Sequence, residues 1–168
     1  MKAPLTMPVL RGERRLTAAR AALAGLHDPE IPTVTITDLG MVHAVYEDGD
    51  VLVVELLPTF SGCPAIAVIE EEARQALAVA QLEPCRVVMR ADLPWSTSLI
   101  SDEGRRQVAV FGLVPPQRGR LTVEDVICPN CGAKSIKLVS RFGPTPCRAL
   151  ARCRSCGEPL EVFKPIGA

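Results

Sequence analysis

No apolar run in this 168-residue sequence approaches the length of a membrane-crossing helix, which excludes a helical span. The opening residues MKAPLTMPVLRGERRL hold too short an apolar stretch for a secretory signal, so the chain is expected to stay in the cytoplasm. Glu-x-x-His repeats, a Gly-rich nucleotide loop and a flavin fingerprint are all missing. Neither di-iron oxygen chemistry nor nucleotide-driven catalysis is therefore expected of the chain itself, and no catalytic activity of its own is assigned. Histidine is scarce: His27 and His43 are the only two, which leaves little choice of general base.

Cysteine is abundant, with seven in the chain. Disulfides are rare in the cytoplasm, so metal or thiol chemistry is the natural use for them. Charge is balanced overall but divided along the sequence. Residues 1–127 carry 12 Lys and Arg against 17 Asp and Glu, and residues 128–168 carry 7 against 2. The basic tail suits an acidic partner, or no partner at all if it is only a solvated surface.

The length accommodates one ordinary domain and a small appendage. GERRLTAARAALAG sets Leu16, Ala19, Leu23 and Leu26 along one stripe with arginines elsewhere, predicting an amphipathic helix that ends near Gly25. HDPEIPTVTITDLGMV has two prolines and alternating β-branched residues, which predict an ordered loop entering a strand. MVHAVYEDGDVLVVELLP reads as a hairpin turning through Glu47-Asp48-Gly49-Asp50. A helix starting at Pro64 follows, with Ile66, Ile69, Ala73, Leu77 and Ala80 on one face, and CRVVMRAD is a further strand. Ser101, Glu103 and Gly104 form a capping pattern for a last helix closed by Gly112 and Pro115-Pro116, with Trp95 before it as a core anchor. The fold class is α+β. A small two-layer α/β domain (helix, hairpin, helix, strand, helix) is expected over 1–114, a linker over 115–127, and a separable four-cysteine ribbon over 128–168.

CPNCG from Cys128 and CRSCG from Cys153 are two knuckles of one form. Two residues between thiolates let a turn present both sulfurs to one tetrahedral ion, and the glycine relieves the turn. Cys128, Cys131, Cys153 and Cys156 are therefore assigned to zinc, with iron as the chemical runner-up. Four protein sulfurs close the coordination sphere, so the site is structural. Cys147 in FGPTPCRAL is left over; it reads first as a buried thiol of the ribbon, with an alternative metal ligand or a point of contact as the other readings.

FSGCPAIAVIEEE places Cys63 directly before the proline at the expected helix start. A sulfur capping that end would lie in the field of free N–H groups, which favours thiolate, and Gly62 leaves room for a partner to approach. The alternative is a small buried hydrophobe.

DPEIPTVTITDLGMV followed by LLPTFSGCPA resembles the iron–sulfur assembly family of bacterial cluster-maturation and eukaryotic cytosolic targeting factors. With LPWSTSLI, FGLVPP, the two knuckles and FGPTPCRAL added, the chain is similar to the D-subunit family of the phenylacetyl-CoA 1,2-epoxidase system of aerobic phenylacetate breakdown. This resemblance implies a functional thiol at Cys63 with Thr59, Asp28, Glu30 and Asp38 as its neighbours, and it also marks Pro29 and Gly40. It implies transient iron or an iron–sulfur cluster at Cys63, and zinc in the ribbon. The role implied is that of a non-oxygenating accessory subunit that matures or maintains iron or iron–sulfur centres. Its partners would be the other epoxidase subunits, among them a di-iron oxygenase and a reductase carrying flavin and an iron–sulfur cluster. A homodimer stays open, as does a general cluster-assembly or carrier role. Asp28 as the cap of a turn, Asp38 as a backbone hydrogen-bonder, Gly40 as a positive φ and Thr59 as a local acceptor are the plain structural alternatives.

Two other classes compete. A nucleic-acid-binding ribbon is disfavoured, because the tail offers Phe142 and Phe163 but no interleaved aromatic platform, and the acidic main domain repels phosphate. No nucleic-acid or membrane partner is expected. A thiol enzyme using Cys63 as nucleophile would need His27 as its base, since His43 alternates along a strand.

Overall fold

The computed structural model describes residues 11–116, 122 and 126–166. Helix α1 spans Glu13–Leu23 and buries Ala19 and Leu23. One arginine departs from the expected wet face: Arg15 is 4% exposed. Its guanidinium donates to the Leu82 and Pro84 carbonyls at 2.9 Å, to Asp50 O at 2.9 Å and to Glu47 Oε1 at 3.2 Å. The buried charge is tolerated because every direction it faces offers an acceptor.

Strands β1 (Val42–Asp48) and β2 (Val51–Leu56) form the antiparallel hairpin, turning through Gly49. Helix α2 (Ile66–Val79) then crosses back to β3 (Cys85–Met89), which runs parallel to β2 with Leu52 opposite Cys85 and Leu56 opposite Met89. The sheet order is β1-β2-β3. Central β2 buries Leu52, Val53, Val54 and Leu56, so it reads as a continuous apolar run because both its faces are covered.

The proline-bearing loop after α1 is ordered by its own backbone. Asp28 N donates to Val34 O at 3.0 Å and Ile36 N to Leu26 O at 2.9 Å, while Ile31, Val34, Ile36, Leu39 and Met41 fill the core. Gly40 has φ +70°, and a Cβ there would lie 2.5 Å from the Leu99 carbonyl oxygen, so both conformation and space require glycine. Helix α3 (Asp102–Val110) begins as its capping pattern predicts, with Ser101 Oγ accepting from Gly104 N at 2.8 Å.

The C-terminal part is an antiparallel sheet of β4 (Ile136–Ser140), β5 (Arg148–Cys153) and β6 (Pro159–Phe163) in the order β4-β5-β6. Val114 joins it, donating to Glu161 O at 2.8 Å and accepting from Phe163 N at 3.0 Å. Val126, Ile136, Ala149, Ala151, Leu160 and Val162 form a small core of their own. Packing nevertheless runs across the expected boundary. Phe163 and Cys147 belong to the core of the α/β part. Trp95 is the anchor: its Nε1 donates to Leu39 O at 3.0 Å, and its ring lies 6.0 Å from that of Phe163. Thr97 N donates to Ile166 O at 2.9 Å. Most of the expected linker, 117–121 and 123–125, lies outside the described residues. Among the described residues no helix is long and apolar enough to cross a membrane.

Candidate functional site

The structure brings the two knuckles together as sequence spacing demands, each built by the same turn. Gly132 N donates to Cys128 O at 2.9 Å and Gly157 N to Cys153 O at 2.9 Å. Both glycines have positive φ, +72° and +81°, which a side chain would strain. The β4–β5–β6 sheet carries one knuckle ahead of β4 and the other between β5 and β6. The sulfurs of Cys128, Cys131, Cys153 and Cys156 then lie within 4.8 Å of one another. Cys128 and Cys156 are 3.8 Å apart, and Cys131 and Cys153 are 3.6 Å apart. A tetrahedral zinc with Zn–S bonds of about 2.3 Å needs sulfur–sulfur edges of about 3.8 Å, so the cage fits that ion. All seven cysteines of the chain are free thiols.

Crowding in the cage sets Cys153 and Cys131 apart. Backbone N–H groups of Cys156 and Ser155, helped by the neighbouring thiols, pull Cys153 down to about 6. The Ala133 N–H favours the Cys131 thiolate, but sharing with Cys156, burial, and sharing with Cys153 and Cys128 push it up to about 12. A divalent cation would displace the remaining protons, so metal uptake is coupled to proton release.

Cys63 lies away from this cage, half-buried in a turn before α2. Helix α2 starts at Ile66 with Ala65 as its cap, two residues later than the Pro64 start read from sequence. Cys63 N donates to Phe60 O at 3.0 Å and its carbonyl accepts from Ile66 N at 3.4 Å, so Pro64 closes a turn and opens no helix. The expectation of a thiolate stabilised by the helix end is corrected in the same place. Burial pushes the Cys63 thiol above its usual 9.0; the Ala65 N–H opposes that, and Glu30, Asp28 and Cys147 add to the rise. Burial of the sulfur is the largest of these causes and outweighs the single N–H that favours thiolate.

Asp28 is 6% exposed. Its Oδ1 accepts from Glu30 N at 2.8 Å and Ile31 N at 2.9 Å, the turn-capping geometry weighed for it from sequence. Burial still raises its pKa above 3.8, against the pull of those two N–H groups and of Arg148. Glu30 is half-buried beside it, and its carbonyl accepts from Arg148 Nη2 at 2.6 Å.

The other two residues marked by resemblance have different surroundings. Asp38 accepts from Ser101 Oγ at 2.6 Å and from Thr35 Oγ1 at 2.9 Å, and a Cβ on Gly104 would meet its carbonyl oxygen at 2.5 Å. Its carboxylate thereby fastens the acidic loop to the start of α3. Thr59 is buried and lines a surface hollow of about 440 Å³ with Phe60, Ser61, Leu93, Trp95 and Ile166. His27 and His43 are both exposed, and among the described residues neither side chain makes a hydrogen bond.

Sequence reasoning misses Cys147 and Arg148 as neighbours of this site. Cys147 is 7% exposed, its Sγ lies 3.1 Å from Thr145 Oγ1, and burial raises its pKa, with Asp28 and Glu30 adding to the rise. No local pattern signals this, because Arg148 reaches Glu30 across 118 positions of chain.

The family model described as an iron–sulfur cluster assembly protein matches residues 16–88. The one described as a PaaD zinc beta ribbon domain matches residues 114–164. A relative from Escherichia coli (strain K12), the D subunit of a "Putative 1,2-phenylacetyl-CoA epoxidase", is 39% identical over 149 residues, spanning 87% of this chain and 90% of that one. Among solved structures, the domain of unknown function DUF59 from Bacillus anthracis superposes with a TM-score of 0.53 at 26% identity, covering 58% of this chain and 94% of that one. The solution structure of Rv1466 from Mycobacterium tuberculosis, a protein associated with Fe-S complex assembly and repair, matches with a TM-score of 0.36 at 28% identity over 66% of this chain and 97% of that one. By the identity and coverage of the Escherichia coli relative, the chain belongs to the D-subunit family of phenylacetyl-CoA epoxidases, with an iron–sulfur cluster assembly domain and a zinc β-ribbon in one polypeptide.

Proposed function

We propose that this chain is a non-oxygenating accessory subunit of a phenylacetyl-CoA 1,2-epoxidase system and that it matures or maintains an iron or iron–sulfur centre of that system. The observation that carries the reading is the pairing, in one chain, of a half-exposed thiol in an assembly-family domain with a closed four-sulfur ribbon. A closed cage has no open position for chemistry, so its ion holds the ribbon together, and zinc is the ion its geometry suits. Cys63 is the group left to handle cargo. One thiolate beside carboxylates binds iron weakly, and weak binding suits a carrier that must release what it takes. The zinc-ribbon match over 114–164 favours a dedicated epoxidase component over a general cluster carrier. Its partners are then the other epoxidase subunits, the reductase included, and its place is the cytoplasm.

The test is co-expression of the remaining epoxidase subunits with and without this chain, followed by purification and iron analysis of the oxygenase and the reductase. The reading expects under-loaded iron in one of them when the chain is missing. Equal iron and equal specific activity in both preparations would refute it.

A further inference from the structure

We propose that the exposed face of the ribbon at β4 and β5 is a docking site for an extended acidic segment of a protein partner, held by Lys137, Arg152 and Arg154 around one hollow. The site goes beyond the accessory role above and is independent of what Cys63 carries.

Strands β4 and β5 pair in a register that sets Lys137 directly opposite Arg152. Like charges in that position repel each other across the strands. Both residues stand on the exposed face, because their neighbours Ile136, Ala151 and Cys153 turn to the ribbon core. Arg154 follows two positions after Arg152, and the three cations line an open hollow of about 540 Å³ with Leu138, Val139 and Gly157.

The molecule itself gives these charges no relief. Among the described residues none of the three forms a salt bridge, and the side chains of Lys137 and Arg154 make no hydrogen bond. Arg152 Nε donates to Gly157 O at 3.0 Å, which fixes its guanidinium beside the second knuckle. Residues 128–168 hold only Glu158 and Glu161 as acids. Glu161 is taken by Arg148 at 3.3 Å, and Glu158 joins no salt bridge among the described residues. Three cations around one hollow without a carboxylate are complementary to an anionic occupant.

The form of the hollow selects a polypeptide among anions. No aromatic ring lines it, so the bases of a nucleic acid find nothing to stack on. Strand β4 is an outer strand paired to β5 alone, and among the described residues its other edge makes no backbone hydrogen bond. An extended chain can bond to such an edge and set alternate side chains over the adjoining face. Val139, where the β4–β5 register shifts, is 62% exposed and offers an apolar contact beside the cations. A lysine on an edge strand also serves to repel unwanted strands. That role does not account for Arg152 on the central strand or Arg154 beyond its end, and a segment bearing carboxylates turns the same repulsion into selectivity.

The test uses the full chain, zinc-loaded, and reads the anisotropy of a fluorescein-labelled octapeptide of alternating glutamate and valine. An octapeptide of alternating lysine and valine and a single-stranded oligothymidine serve as comparison probes. The proposal expects the acidic peptide alone to bind, with affinity falling as salt is raised. The double variant Lys137→Glu, Arg154→Glu is expected to lose at least about tenfold in affinity, whereas Arg141→Glu, an equal charge change outside the hollow, stays within about threefold of wild type. No binding of the acidic peptide overturns the proposal, as does an equal loss in Arg141→Glu, which would mean diffuse attraction to a basic surface. Oligothymidine binding that disappears in the double variant makes the face a nucleic-acid site and overturns it too. Zinc is measured in every variant: its loss from the double variant would make the cations counter-charges of the four-sulfur cage and also overturn the proposal. Should the double variant not fold, the neutral variants Lys137→Gln and Arg154→Gln decide, each expected to weaken the acidic peptide by at least about threefold, and unchanged binding in both overturns the site. Cys63→Ser is expected to bind the peptide as wild type does, so the outcome stands apart from the iron role assigned to Cys63.

Discussion

Arg148 on β5 donates from Nη2 to the carbonyl oxygen of Glu30 at 2.6 Å, fastening the ribbon to the acidic turn of the α/β part. The same side chain reaches Glu161 Oε2 at 3.3 Å and lies 5.1 Å from the centre of the Phe111 ring. Removing it leaves a half-buried carbonyl without its donor. Arg148→Ala is expected to lower stability by about 2 kcal/mol, read from urea unfolding of the zinc-loaded protein. A change below about 0.5 kcal/mol, the range of ordinary surface substitutions, would mean that the ribbon is not held through this contact.

Asp28 offers a test of stability against function. Its folded pKa is raised above 3.8 by burial, so any stability it contributes is present below that value and is lost as pH rises through the folded pKa. At neutral pH its charge is a burden on the fold. Asp28→Asn keeps an oxygen to accept from Glu30 N and Ile31 N and removes the charge. The variant is expected to be at least as stable as wild type at pH 7, with the difference vanishing below pH 3.8, while iron retention falls. Loss of stability at pH 7 would show that the carboxylate is structural.

The ribbon cage is expected to hold about one zinc per chain, from the one-ion, four-sulfur rule. Any one of Cys128→Ser, Cys131→Ser, Cys153→Ser or Cys156→Ser should abolish stoichiometric zinc. Because Phe163 and Cys147 lie in the α/β core, chelation should also lower the melting temperature of that part. Full zinc in a single variant would exclude the assigned ligand set, and a chelated protein melting like the loaded one would mean the two cores are energetically independent.

The direction of the Cys63 shift predicts slow chemistry at neutral pH. Alkylation by iodoacetamide should be slower than that of an ordinary free thiol and should keep rising past pH 9.0, about tenfold per unit, as the thiolate fraction grows. A rate that levels off below pH 8 would restore the helix-end thiolate expected from sequence.

Local signals carry most of the fold. The Gly49 hairpin, the Ser101 cap and the two Cys-x-x-Cys-Gly knuckles are each contained within a few consecutive residues, where turn and capping chemistry acts directly. The four metal ligands are legible for the same reason. Arg15 escapes the helical pattern because its acceptors come from the hairpin turn and the lead into β3, which no periodicity reveals. The start of α2 is displaced from its expected position because Pro64 suits a turn and the first turn of a helix equally. Cys147, Arg148 and Phe163 are invisible in sequence as partners of the α/β part, since tertiary packing alone brings β5 and β6 to the acidic turn and to Trp95.

The central claim is that Cys63 handles iron for the epoxidase, and a single substitution in cells tests it most directly. Cys63→Ser keeps the size of the side chain and alters no hydrogen bond made by its backbone. The full set of epoxidase subunits is expressed with wild-type chain or with Cys63→Ser at equal levels, and epoxidase activity and iron per oxygenase and per reductase are measured. The account expects activity and iron in the affected component to fall together by at least about tenfold, with the zinc content of this chain unchanged. Normal activity and normal iron in the presence of the variant would contradict it.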